Sequence, residues 1–446
     1  MRQILLFFGL VCALSVSASV TPIGEHIKTL RVRWFDVEKK EPQPGDPIRP
    51  YLMKDGKIGA EGDAFNKVLE ISFDEMSHEV RQYTYTVIHL NADGKESSLN
   101  SSEYVEGFTT RDIIDYEHSL NTSQLYTHYS FLFPNEDMVI TKSGNYRILI
   151  FEDGDRDKRV GEVDFHVVNP KVKIRANIRA NTDIELNGRY QQLDADIFYG
   201  NAASSAQSSE FFIVVQQNGR HDNQAYAPKP TFVESDKLRF TNCKELIFEG
   251  GNEYRHFDTY STYFAGTGVD RIMHDNNDYH AILMPDDPRG TGAMFAGERV
   301  TDKCGTSYMH EFDVNGQYVV NAERVIYDSD TEGEYMWVHW VLKAENPWFD
   351  GVVYVGGDVF GNHMGSFNRM QYDGERKCYW LSALVKQGGV DYQYWFVPKG
   401  DRKVTLQRTE GSHWETENEY TIYVYYRPFG SRYDQLVGIQ VLKSAH

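Results

Sequence analysis

The stretch Val172-Lys173-Ile174-Arg175-Ala176-Asn177-Ile178-Arg179 decides the fold class. Its apolar residues fall at every second position with polar ones between, so an extended chain carries one apolar face and one largely cationic face. A helix would scatter the same side chains around its circumference. Tyr83, Tyr85 and Val87 alternate in the same way with Thr84, Thr86 and Ile88. The run Tyr420-Thr421-Ile422-Tyr423-Val424-Tyr425-Tyr426 is short and aromatic, as suits a pleated surface. Residues 210–217, 318–325 and 334–342 read as strands for the same reasons, and no window keeps a 3.6-residue apolar period over a dozen residues. Aromatics make up 14% of the chain, led by 29 tyrosines, which favours sheet over helix. The expected fold is all-β, two or three β-sandwich domains in tandem.

Working outward, Phe165-His166-Val167-Val168 closes a first set of strands, and Asn169-Pro170 breaks the pattern. A looser block follows, with a small-residue stretch at 201–209 and a proline-containing loop at 225–230. Asp328-Ser329-Asp330-Thr331 is the next polar break. The expected division is therefore a signal segment at 1–19 and domains at 20–170, 171–330 and 331–446. No short-period repeat appears, which argues against a solenoid or propeller.

The first residues read as a cleavable export signal: Arg2 is a basic start, residues 4–16 are apolar, and Ser17-Ala18-Ser19 supplies small residues for cleavage. The apolar run is too short for a permanent membrane anchor. Cys12 lies within it behind Val11, not behind a small residue, which argues against a lipid anchor. No other stretch is apolar enough to cross a bilayer as a helix, so no direct membrane insertion is expected. Acidic residues outnumber basic ones by 65 to 46, which disfavours nucleic acid or anionic lipid and suits docking on a basic opening in another protein. Beyond the signal stand Cys243, Cys304 and Cys378, an odd number that allows at most one internal disulfide.

Candidate chemistry is thin. Glu152-Asp153-Gly154-Asp155-Arg156-Asp157 spaces carboxylates like a calcium loop, but Lys158 follows and strands flank it, so a solvated hairpin loop is expected. His128 and His339 stand singly among strand residues and read as hydrogen-bonded structural histidines. No HExxH, paired Cys-x-x-Cys, Gly-x-Ser-x-Gly or Walker loop occurs. Asp286-Asp287 and the group Glu415, Glu417 and Glu419 are carboxylate pairs that nothing in their context singles out. No enzyme, no metal and no cofactor is expected.

Tyr83-Thr84-Tyr85-Thr86-Val87-Ile88-His89-Leu90-Asn91-Ala92-Asp93 opens a longer pattern. It runs through Ser97-Ser98-Leu99, Glu103-Tyr104-Val105-Glu106-Gly107-Phe108, Ile114-Asp115-Tyr116, Tyr126-Thr127-His128-Tyr129, Phe133-Pro134-Asn135 and Ser143-Gly144-Asn145-Tyr146. This resembles the plug proteins of the type IX secretion system of Bacteroidetes-type bacteria. The likeness continues through Phe248-Glu249-Gly250-Gly251-Asn252-Glu253-Tyr254-Arg255, Asp313-Val314-Asn315-Gly316, Tyr335-Met336-Trp337-Val338-His339, Glu410-Gly411-Ser412, Glu417-Asn418-Glu419-Tyr420 and Gly430-Ser431-Arg432-Tyr433-Asp434. Gly94 stands where the family usually has Trp, and Leu90 where it often has Cys. The resemblance implies a non-catalytic periplasmic protein at the inner face of the outer membrane. Its implied partner is the outer-membrane translocon barrel of the type IX secretion system, whose periplasmic opening it would occlude when no cargo is engaged. Tyr104, Phe108, Tyr116, Tyr126 and Tyr129 of the first domain are the aromatic candidates for that contact.

The last block carries a second likeness. Val352-Val353-Tyr354-Val355-Gly356-Gly357, Phe360-Gly361-Asn362 and Leu384 through Tyr394 are similar to early-set immunoglobulin-like modules, some of which bind polysaccharide. That implies an immunoglobulin-like sandwich at the C-terminus and an alternative role as a carbohydrate-binding protein of a glycan-utilisation system. His363 and Met364 stand where the flat tryptophan of a sugar site is expected, so a structural sandwich is the favoured reading.

Overall fold

Lys173–Arg179 forms the expected strand, with its lysine and arginines turned outward and Val172, Ile174, Ala176 and Ile178 packed on a core. The computed structural model describes residues 19–43, 48–199, 208–227, 229–289, 313 and 315–444; the expected signal segment with Cys12, most of the 201–209 stretch and Cys304 lie outside them. Strands account for 51% of the described residues and helix for 4%, which makes the protein all-β.

The first sandwich faces two sheets across an aromatic core. One sheet orders Ser19–Pro22, Arg159–Val168, Gly144–Glu152, Tyr83–Leu90 and Thr110–Ile113; the other orders Glu41–Gln43, Ile27–Asp36, Lys67–Glu75, Thr127–Phe133 and Asp115–His118. Tyr83, Tyr85 and Val87 all point into the core, where Tyr85 stacks on Phe131 and Phe73 on Tyr129. The acidic stretch after Glu152 is the expected hairpin loop. It joins two antiparallel strands, and Lys158 Nζ closes it on Asp153 at 2.8 Å.

The middle sandwich corrects the division expected near residue 330. Its one sheet contains Lys173–Arg179, Tyr190–Phe198, Lys237–Phe240 and Phe232–Val233. The other orders Ala225–Ala227, Phe211–Gln217, Glu419–Tyr426 and Gln435–Lys443. Phe211 lies opposite Tyr426 and Gln217 opposite Tyr420, so the last two strands of the chain complete this unit. The reason is burial: Ile213 and Val215 share a core with Tyr420, Ile422 and Val424, an apolar surface that neither segment covers alone.

The third sandwich is therefore an insertion in the middle one, and not the last unit of a tandem row. One sheet orders Val269–Asp275, Asp278–Leu283, Tyr335–Lys343, Cys378–Lys386 and Gln371–Asp373. In the other, Gly388–Pro398 pairs with Arg255–Asp258, Tyr318–Val320 and Gly351–Gly356. Asp278–Leu283 runs parallel to Tyr335–Lys343. Trp340, Phe257, Val355 and Tyr392 fill the core. The strand expected over 318–325 stops at Val320, and Asp328-Ser329-Asp330-Thr331 is the capped start of a single helical turn, Ser329–Glu332, within this unit.

The insertion's two connections lie side by side. Asn252 Nδ2 donates to the Glu410 carbonyl at 2.9 Å, His413 N donates to the Gly251 carbonyl, and Arg255 is ion-paired with Glu410. A Cβ at residue 250 would sit 1.9 Å from the His413 carbonyl oxygen, so the crossing demands glycine there. Two sequence strings some 160 residues apart thus form one joint.

Candidate interaction surface

The five aromatic candidates separate. Tyr104, Tyr126 and Tyr129 are buried, at 5%, 0% and 0% exposure, and cannot meet a partner directly. Tyr129 and Tyr104 are core residues; Tyr104 ends a short helical turn, Ser101–Tyr104, and its hydroxyl donates to the Val87 carbonyl. Alternation along Thr127–Phe133 turns Tyr129, Phe131 and Phe133 inward together. Phe108 and Tyr116 are exposed, Tyr116 on the edge strand Asp115–His118.

Tyr126 instead belongs to the seam between the first and third sandwiches. Its hydroxyl donates to the Gly333 carbonyl at 2.9 Å, and Lys386 Nζ stands 4.0 Å over its ring. Lys386 is fully buried and reaches Asp74 Oδ2 at 2.6 Å; Tyr335 donates to the same carboxylate at 2.7 Å and His128 Nδ1 lies 2.6 Å from its other oxygen. Burial works to raise the Asp74 carboxyl, but Lys386 and His128 outweigh it and hold it below the usual carboxylate range. Burial pulls the Lys386 ammonium below its ordinary value. Nearby, Arg31 and Arg33 of the first sandwich grip Asp330 of the third, and despite its burial they hold that carboxyl far below its normal range. Every charge here has a partner contributed by the other unit, apart from His128, which stands beside Asp74 in its own sheet.

Above this seam three loops meet. Leu120 N donates to the Thr331 carbonyl at 3.0 Å, and the Glu334 carboxylate accepts the backbone N–H groups of Ser123 and Gln124. The amide of Gln124 reaches Asp278, and Glu323 N donates to the Tyr260 carbonyl at 2.8 Å. The Arg324 guanidinium lies 4.9 Å from the Tyr263 ring, and Glu332 accepts the N–H groups of Ile326 and Tyr327. The result is a saddle across two sandwiches, with Leu120, Leu125, Tyr263, Phe264, Ile326 and Tyr327 all exposed on it.

The seam between the first and middle sandwiches has an apolar centre: Val168, Phe212, Val214, Tyr423, Tyr425 and Leu436 are buried together, with Leu52 and Ala92 against them. Tyr425 also donates to Asn145 Oδ1 at 2.8 Å, and Arg432 pairs with Glu103 at the edge. A cleft of about 420 Å³ opens beside it, but Arg427 and Asp434 on its wall are ion-paired at 3.2 Å. All three units meet where His166 packs on Tyr423 and His221 stacks on His363, with His363 Nε2 lying 2.6 Å from Thr21 Oγ1. Burial lowers both His166 and His363 to about 4. Gly361 seats the third sandwich on the first: its φ is +62°, and a Cβ there would lie 1.9 Å from the Val20 carbonyl oxygen. The segment weighed as a sugar platform is thus packed against another unit.

Asp286 and His339 have structural partners. Asp286 accepts from Tyr392, Tyr394 and Arg255 at 2.6–2.8 Å. His339 meets Ser382 at 2.6 Å and His280 at 3.0 Å. Among the described residues no cluster of three or more histidines, cysteines or carboxylates is placed to hold a metal ion, and no helix is long and apolar enough to cross a membrane. Cys243 and Cys378 are buried free thiols.

The described residues thus form three β-sandwiches joined by seams, with Phe108 and Tyr116 among the exposed aromatics. Residues 63–169 match the family described as the type 9 secretion system plug protein 1st domain. No curated protein matches the chain. A crystal structure of a hypothetical protein from Parabacteroides merdae ATCC 43184 is similar over 96% of this chain and 100% of its own, at 32% identity and a TM-score of 0.84. The chain belongs to the type IX secretion system plug protein family, and its role is tied to that system.

Proposed function

We propose that this protein is a non-catalytic periplasmic plug that binds the type IX translocon barrel and closes its periplasmic opening when no cargo is engaged. A barrel wide enough to pass folded cargo leaks solutes unless its lumen is blocked. Steric closure asks for a body that keeps its shape under contact, and requires no bond-making chemistry. The observation that carries the reading is the Asp74–Lys386 seam, which fixes the first sandwich to the third through groups that no water reaches. Together with the apolar seam to the middle sandwich it makes three units behave as one block. Cargo and plug would compete for the same opening, so release follows from mutually exclusive binding.

The test is electrical. The purified translocon barrel is inserted in a planar bilayer and the mature protein is added to its periplasmic side. Conductance should fall in a saturable manner and recover on washing. An open-channel current that stays constant at saturating protein would sink the proposal.

A further inference from the structure

We infer that the saddle over the first–third seam is the surface that meets the translocon, and that the surface opposite it is apolar and ringed by lysine and arginine side chains. The inference rests on the plug reading and names the contact within it. Its centre is the group Leu120, Leu125, Tyr263, Phe264, Ile326 and Tyr327, exposed by 46%, 54%, 64%, 65%, 73% and 80% respectively. Clustered apolar exposure of this kind on a soluble surface marks an interaction site, where single exposed residues do not. Phe349 and Phe429 are more exposed still, but they lie outside the loops that meet over the seam.

Charge selects the partner. The segments 114–125, 260–280 and 321–334 that build the saddle and its margin contain ten Asp and Glu residues against two arginines and no lysine. One arginine, Arg324, lies over the Tyr263 ring, and the other, Arg271, is ion-paired with Asp270 at 2.8 Å. Asp330 is neutralised by Arg31 and Arg33. Glu332 and Glu334 each accept backbone N–H groups, and no cation is paired with either among the salt bridges of the described residues. Asp275, Glu323 and Asp328 stand exposed at the margin. An aromatic centre inside an acidic margin is complementary to an apolar patch inside a basic one, and it would steer that encounter in low salt.

The saddle spans two units, so only the locked seam beneath it holds its two halves in register. The contact is therefore a product of the assembled chain.

The experiment uses the full mature chain, tagged, as bait for detergent-solubilised outer membranes of its own bacterium, with the translocon barrel identified by peptide mass. Three variants are compared with the wild type: Phe264→Ser/Tyr327→Ser at the saddle centre, Asp275→Lys/Glu323→Lys at its margin, and Phe349→Ser/Phe429→Ser elsewhere. All six side chains are exposed, and matching thermal unfolding checks that each variant folds. Barrel recovery should fall about tenfold for the centre variant, the equivalent of about 1.4 kcal/mol. It should fall for the margin variant chiefly at low salt, stay at the wild-type level for the third, and drop for the wild type in about 0.5 M salt. Wild-type recovery by both saddle variants, with the barrel still captured, overturns the inference and leaves the plug reading standing. No barrel on any bait, with the barrel abundant in the membranes, overturns both.

Discussion

Against the third sandwich the first one buries charge; against the middle one it buries mainly hydrocarbon. The first seam turns on Asp74, Lys386, Tyr335 and His128, the second on Val168, Phe212, Tyr423 and Leu436. Apolar burial is non-directional and tolerates small shifts. A buried ion pair has no such tolerance, because moving either partner leaves a charge without solvent or counter-charge. The apolar seam supplies adhesion, and the ionic seam supplies register. That division suits a protein whose exposed saddle is assembled from both sides of the ionic seam.

The comparison breaks most severely at Asp74. Asp74→Ala strands the Lys386 ammonium with the Asp330 carbonyl and the Tyr126 ring, and should cost about 3–5 kcal/mol. Urea unfolding measures it, and the paired change Asp74→Leu/Lys386→Met should cost less than Asp74→Ala alone. A double variant as unstable as the single one would mean that shape, not charge, governs the seam.

A smaller effect tests the point where all three units meet. Folding holds His166 at about 4, below its ordinary value of 6.5, so the folded state binds fewer protons between those values and loses stability as pH falls from 6.5 toward 4. Burial raises Asp313 to about 7 and Asp358 to about 6, which acts in the opposite direction on the whole protein. The clean measurement is therefore a difference. Between pH 7.5 and pH 5, His166→Gln should gain on the wild type by about 2 kcal/mol. Parallel stability profiles for the two proteins would show that His166 carries no such penalty.

The smallest effect sharpens the contrast from the apolar side. Val168→Ala removes two buried methyl groups and should cost about 1–2 kcal/mol. The same loss is expected at pH 5 and pH 8, since no titratable group is lost. A loss that varies with pH would show that the two seams are energetically coupled.

Much of the site escaped a reading of the sequence for definite reasons. Exposed Tyr116 and Phe108 look no different in sequence from buried Tyr104, Tyr126 and Tyr129, because tyrosine serves equally in cores, seams and surfaces. The saddle residues Tyr263, Phe264, Ile326 and Tyr327 lie in loops without period, so no alternation marks them. Their one legible signal was the concentration of carboxylates around apolar residues at 323–334.

The sequence by itself determined that the chain forms strands, where the hairpin after Glu152 turns, and to which family it belongs. Each of these depends on local alternation, turn chemistry or ordered strings of residues. Tertiary structure alone decided that Glu419–Tyr426 pairs with Phe211–Gln217 and that the third sandwich is an insertion. It alone also decided that Lys386 answers Asp74 across 312 positions. Alternation tells a strand which face to bury, and says nothing about which distant strand or charge will cover it. That choice belongs to the complementarity of whole surfaces.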